Sequence, residues 1–162
     1  MLDTTAKLLD EQLSCPSLEI IPENRFSKLT SSYLTDGFRQ DFFKLNSVKH
    51  KSGFIEIDFR VTDYYPSTDN SFHLSAVAAQ ILFQQSAIIL IHLDYNLEEK
   101  TKEIYITQNM MHYRKMISSR DIKFTLELTS KKIKKGNLFF SGDFMFNDGA
   151  FYGDATGIFP IN

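Results

Sequence analysis

An α+β fold is predicted, with one long helix, apolar on nearly every face, wrapped by a curled antiparallel sheet. Three observations predict it. Phe72 to Leu93 is apolar apart from a few interruptions, chiefly Gln80, Gln84, Gln85 and His92. Ile55, Ile57, Phe59 and Val61 alternate with Glu56, Asp58 and Arg60, the period of a strand with one buried face, and Ile122 to Leu128 alternates in the same way. Turn signals separate the strands that close the chain. A helix without a polar face needs burial all round, and an antiparallel sheet provides it by wrapping.

The elements follow in chain order. Asp3 to Leu13 reads as a short helix capped by Asp3 or Thr4, with Leu2, Leu8, Leu9 and Leu13 on one face. Pro16 and Pro22 bracket an extended stretch. Phe42 to Val48 is a strand turning at Lys51-Ser52-Gly53, and Ile55 to Val61 is the next. Tyr64 to Asn70 is a loop by its turn residues, leading straight into the helix at Phe72. Asp94 to Lys102 is polar, Glu103 to Thr107 a short strand, and Asn109 to Ser119 an irregular strand extension or loop. The strand at Ile122 turns at the basic run Lys131 to Gly136, a solvated hairpin, into Leu138–Phe146. Asn147-Asp148-Gly149 is a hairpin signal before Phe151–Phe159.

The 162 residues suit one domain, 1–162, whose first 40 residues supply the N-terminal helix and extended segment. A net charge of −2 argues against nucleic acid as a partner. The single cysteine, Cys15, forms no internal disulfide, in keeping with a cytoplasmic location. The first residues do not read as a signal peptide. The amides and His92 argue against a membrane span at Leu74 to Leu93. With 15 Phe and 7 Tyr against no Trp, the strands suit packing onto a helix or a lipid chain. No Walker or dinucleotide glycine loop, GxSxG elbow or metal-spaced Cys/His cluster occurs, so neither a cofactor nor a metal is expected.

The run Phe72-His73-Leu74-Ser75-Ala76-Val77, with Gln84-Gln85 further along, resembles the start of the central helix in hotdog-fold acyl thioesterases of the FcoT type. In that group a Tyr-containing loop leads into His-aromatic-Asn-Ala-Val, and an Asn-Gln pair follows on the helix. Here Ser75 and Gln84 stand where the group has asparagine. The resemblance implies a hotdog fold and a homodimer or dimer of dimers. It also implies hydrolysis of fatty acyl-CoA or acyl-carrier-protein thioesters. Some members of the group are linked to glycine addition across an enoyl thioester in isonitrile lipopeptide synthesis. A non-catalytic acyl-binding hotdog protein is the remaining alternative.

Thioester chemistry needs a donor for the carbonyl oxygen and a group that positions the nucleophile. The helix N-terminus supplies N–H donors, with Ser75 adding a hydroxyl or merely capping. His73, just ahead, offers proton transfer. The position about 14 residues on, where a dehydratase would carry a carboxylate, holds Ser86, Ala87 and Ile88. Gln80 and Gln84 share a helix face, and Gln84, about three turns beyond His73, is read as a buried amide holding a water. Tyr33, Tyr64 and Tyr65 are loop tyrosines able to donate to a thioester oxygen. His112 and Tyr113 are candidates to face the same site from a partner subunit. Arg114, Lys115 and Arg120 suit CoA phosphates or an acidic carrier protein.

Overall fold

The computed structural model describes residues 42–97, 100 and 102–161, all within one compact unit. Tyr33, Cys15 and the expected N-terminal helix lie outside the described residues. Six strands form one antiparallel sheet: β1 (Phe42–Lys51), β2 (Phe54–Asp63), β3 (Tyr105–Tyr113), β4 (Asp121–Lys134), β5 (Asn137–Phe146) and β6 (Phe151–Pro160). Their order is β1-β2-β4-β5-β6-β3, so β1 and β3 are the edges. Register shifts in β1, β3 and β4 add twist and curl to the sheet.

Helix α1 (Ala76–Asp94) packs against one face of the sheet. That face is apolar because alternate residues point inward: Ile55, Ile57, Phe59 and Val61 of β2, Ile122, Phe124 and Leu126 of β4, and Phe144 and Phe146 of β5 are all buried. The helix answers with Ala78, Ala79, Leu82, Phe83, Ala87 and Leu90. Its alanines let the backbone approach while Phe83 reaches Phe144, with ring centroids 4.7 Å apart. Each large side chain so buried stabilises the fold by about 1.5–3 kcal/mol.

Four expectations are corrected. The helix begins at Ala76, not Phe72, because the Ser75 hydroxyl accepts from the Ala78 N–H at 3.1 Å and the Leu74 N–H donates to Ile117 O at 2.9 Å. Phe72 to Ser75 is therefore tied down ahead of the cap. Second, the sheet covers one side only: Val77, Gln84, Gln85 and Leu93 are exposed. Third, the short strand starts at Tyr105 rather than Glu103 and runs on through Asn109 to Tyr113, which pair with Ala155 to Phe151 of β6, so the strand extension and not the loop holds there. Fourth, the basic run is mostly strand. β4 continues to Lys134, and only Lys135-Gly136, both at positive φ (50° and 74°), make the turn.

The far end of α1 is latched to the sheet through Asp94, whose side chain is 1% exposed. It accepts from Gly53 N–H at 2.9 Å, His50 Nε2 at 2.9 Å and Lys131 Nζ at 3.0 Å. A carboxylate at a helix C-terminus opposes the helix dipole, so these partners hold it there. By length and composition α1 would cross a membrane, with a mean hydropathy of 1.6, but half of that stretch is buried inside the fold.

Candidate active site

The N-terminal end of α1 gathers most of the predicted residues. Of the first N–H groups, Ala78 donates to the Ser75 hydroxyl and Ala79 to Ser75 O. The N–H groups of Ala76 and Val77 meet no acceptor among the described residues and stand at the positive end of the dipole. The Ser75 hydroxyl is thus the helix cap. Half-buried His73 lies two residues ahead of it, outside the helix, so the expected three-turn alignment of His73 with Gln84 does not apply.

Tyr64 packs edge-on to Phe72 with centroids 5.0 Å apart, and the Arg120 guanidinium lies 5.5 Å over its ring. Half-buried Tyr65 follows in the same loop. Arg120 is removed from the phosphate-binding candidates. Its Nε and Nη2 donate to Val61 O and Thr62 O at 2.9 and 2.7 Å. The loop is braced below by Asp69, which accepts from Ser67 and Ser71. The two serine hydroxyls, joined by the Ser71 N–H, hold its carboxyl down to about 2.

The side of α1 that the sheet leaves open carries Val77, Ile81, Gln84 and Ile88, spaced at i, i+4, i+7 and i+11. Gln84 is exposed, not buried as the sequence suggests. Gln80 borders the stripe on the β3 side and accepts a short hydrogen bond from Asn109 Nδ2. The other polar atom of that amide, Asn109 Oδ1, is buried with no partner among the described residues. Turning both amides over leaves the same count. An unmet buried acceptor costs about 1–3 kcal/mol, so Asn109 is held there against stability. Gln80 also stands about one turn, roughly 6 Å, nearer the helix start than Gln84.

Asn109 is the residue that sequence reading missed. Its inward orientation is hidden by the register shift between Ile106 and Gln108, which moves the buried face from even to odd positions. Ile106 and Met111 pack on the core five residues apart, a spacing that no simple alternation predicts.

His112 and Tyr113 are adjacent residues of a strand and point to opposite faces. His112 stacks on Tyr152 at 5.1 Å, whereas Tyr113 meets the buried Phe151 edge-on at 4.8 Å, and desolvation raises its hydroxyl above the usual value. Beyond them, Arg114 N–H and Lys115 N–H both donate to Ala150 O, at 2.9 and 3.1 Å. These two residues line a hollow of about 590 Å³ with Asn147, Asp148, Gly149 and Ala150. Among the described residues no group of His, Cys, Asp or Glu is arranged to hold a metal.

No family model and no curated protein matches the chain. Solved structures do. A Staphylococcus aureus protein, 15% identical, aligns at a TM-score of 0.51 over 73% of this chain and 93% of its own. A glutamine-to-alanine mutant of that protein, called a thioesterase enzyme, gives 0.50 at 14% identity, covering 73% and 93%. A putative thioesterase from Ralstonia eutropha, 12% identical, gives 0.50 over 72% and 84%. A Streptococcus mutans protein solved with acetyl-CoA, 9% identical, gives 0.50 over 79% and 97%. At these identities the likeness concerns the fold. The chain shares the fold of these structures, the hotdog arrangement of one helix against a six-stranded antiparallel sheet among the described residues.

Proposed function

We propose that the chain is an acyl-thioester hydrolase of the FcoT type, acting on a fatty acyl group carried by CoA or a carrier protein. The observation that carries this reading is the Gln80–Asn109 pair. It is an oriented amide beside an open helix stripe, one turn from two free N–H donors. The thioester oxygen accepts from the N–H groups of Ala76 and Val77, which stabilise the charge it gains as the carbonyl carbon is attacked. A water held by Gln80 and Gln84 attacks that carbon. His73 takes the water's proton and returns it to the departing sulfur, so the C–S bond breaks to give a carboxylic acid and a free thiol. Tyr65, with Tyr33 outside the described residues, is assigned to the carbonyl oxygen. Tyr64 lines the apolar side.

The working unit of this proposal is a homodimer, alone or paired into a dimer of dimers. Its chains join through β3. The other edge, β1, carries Lys44, Lys49 and Lys51, the charges that keep an edge strand from pairing. β3 has no Lys, Arg, Asp or Glu between Tyr105 and Tyr113, and its Met110 is 48% exposed. Such a pairing extends the sheet and brings a second chain towards the open stripe of α1. Light scattering tests it against the 18.7 kDa of one chain.

One observation favours a second reading: α1 carries no carboxylate before Asp94, which the latch consumes. Without a carboxylate base, glycine addition to an enoyl thioester gains weight, because a free amine is already nucleophilic. The deciding experiment measures thiol release from a panel of acyl-CoA and acyl-carrier substrates, beside glycine addition to an enoyl thioester. Thiol release supports the hydrolase. Glycine addition alone supports the lyase, and binding without either reaction leaves an acyl-binding protein.

A further inference from the structure

Resting on the reading of the chain as an acyl-thioester protein, we propose that the hollow between β3's exit and the β5–β6 turn seats the 3′-phosphorylated nucleotide end of CoA. The substrate carrier is then CoA rather than an acidic protein.

The hollow is built rather than incidental. The backbone N–H groups of Arg114 and Lys115 are both tied to Ala150 O, which fixes the main chain of the two basic residues against the turn. The turn itself holds three consecutive left-handed residues, Asn147, Asp148 and Gly149, at φ of 43°, 56° and 82°. Asn147 anchors it, accepting from Lys123 N–H at 2.8 Å and donating to Asp121 O at 3.3 Å. Neither the Arg114 guanidinium nor the Lys115 ammonium makes an ion pair or side-chain hydrogen bond among the described residues, and both side chains are exposed. A guanidinium fork beside an ammonium suits a phosphate monoester, which accepts two parallel N–H bonds from the arginine. Nearly buried Ala150 supplies an apolar surface in the same hollow.

The position suits the thioester. Lys115 lies two residues before Ile117, whose carbonyl accepts from the Leu74 N–H just ahead of the Ser75 cap. The hollow is therefore at the same end of the molecule as the free N–H donors of α1, leaving the pantetheine arm to bridge the two.

Size and charge select CoA over a carrier protein. A volume of about 590 Å³ is that of a small-molecule site, which typically spans roughly 300–1,000 Å³. The surroundings are not uniformly basic. Asp148 lines the hollow, and Asp143 and Asp154, direct cross-strand neighbours, line the adjoining one with Arg114. The acidic helix of a carrier protein would meet all three carboxylates, whereas a phosphate held by Arg114 and Lys115 has only Asp148 in its own hollow.

The test uses the full chain and three ligands carrying the same acyl group: acyl-CoA, its 3′-dephospho form and the acyl-carrier protein. Binding is measured by calorimetry and turnover by thiol release. The parent is expected to prefer acyl-CoA over the dephospho form by on the order of 10- to 100-fold in Kd or KM, the worth of charge-assisted hydrogen bonds to one phosphate. In an Arg114→Ala/Lys115→Ala variant that preference is expected to collapse towards one. The parent comparison needs no variant and stands even if the double substitution disturbs the fold. A parent that handles both CoA forms alike, a variant that keeps the preference, or a carrier-protein thioester bound more tightly than acyl-CoA overturns the nucleotide site. All three results leave the hydrolase reading intact. A parent that neither binds nor cleaves any of the three removes the functional reading and the site together.

Discussion

Replacing Asn109 with Leu separates a group kept for function from one kept for stability. In the parent, one polar atom of the amide is bonded to Gln80 and the other is buried without a partner among the described residues. The bond is worth about 1 kcal/mol net, and the unmet acceptor costs about 1–3 kcal/mol. Leucine removes both terms, and half-buried Gln80 can turn to water. The balance runs from neutral to about 2 kcal/mol in favour of the variant. At about 2–4 °C per kcal/mol for a chain of this size, Tm should hold or rise by a few degrees. Catalysis should move the other way. Gln80 loses its tether, and kcat/KM for thiol release should fall about 10- to 100-fold, or about 1.4–2.7 kcal/mol in the barrier. Calorimetry and a thiol-trapping assay on one preparation give both numbers. A variant that loses stability and activity together would show Asn109 to be structural. One that gains stability at full activity would remove the pair from the mechanism.

Four further outcomes are expected. Gln84→Leu, on the open face, should change stability by less than about 0.5 kcal/mol yet lower thiol release about 10²–10³-fold; a variant as active as the parent would shift the chemistry to Gln80 and His73. Asp94→Ala should cost about 2–4 kcal/mol by chemical denaturation, since it leaves Gly53 N–H, His50 and Lys131 without their acceptor. Burial alone would raise the Asp94 carboxyl, but those three partners outweigh it and hold it below the ordinary value. Its contribution is therefore present above about pH 4 and lost as the pH falls through the lower folded value, so parent and variant should converge in acid. Gly153→Ala should loosen β3, because the new Cβ would lie 1.8 Å from Met110 O; an unchanged Tm would contradict the close approach of β6 and β3. Met110→Lys copies the charge protection of β1 onto β3 and should shift light scattering to one chain's mass, with a parent-like dimer as the contrary result.

The fold is legible in the sequence wherever one physical term dominates. Ile55 to Val61 and Ile122 to Leu126 alternate because one face is buried, and both are strands at those positions. The start of α1 is less legible: Phe72 and Leu74 are apolar and buried, as helical residues would be, but the Ser75 hydroxyl and the Leu74–Ile117 bond keep them out of the helix. The lysines from 131 to 134 read as a turn by charge. Yet Lys131 is drawn into strand by pairing with Phe140 and by Asp94, 37 positions away in sequence. For the site, Gln80 and Ser75 are visible as polar residues in an apolar run. Asn109 is not, because its inward direction depends on a bulge that no local signal announces.

Two features of the molecule converge on its β3 side. The strand exposes an uncharged edge, and beside it the helix leaves Val77, Ile81, Gln84 and Ile88 outside the sheet's cover. Each is costly alone, since an open edge invites unwanted pairing and a partly wetted apolar stripe forgoes about 25 cal/mol for each Å² left in water. Selection for a stable single chain would place lysine on β3, as on β1, and polar residues along the stripe. Neither is present, and the buried amide oxygen of Asn109 in the same region has no partner among the described residues. A second chain meeting β3 would pair the edge and approach the stripe in a single contact, surrounding Gln80 and Gln84 with protein in place of bulk water. An amide orients a water most effectively in such a screened place, which is where a mechanism without a carboxylate has to work.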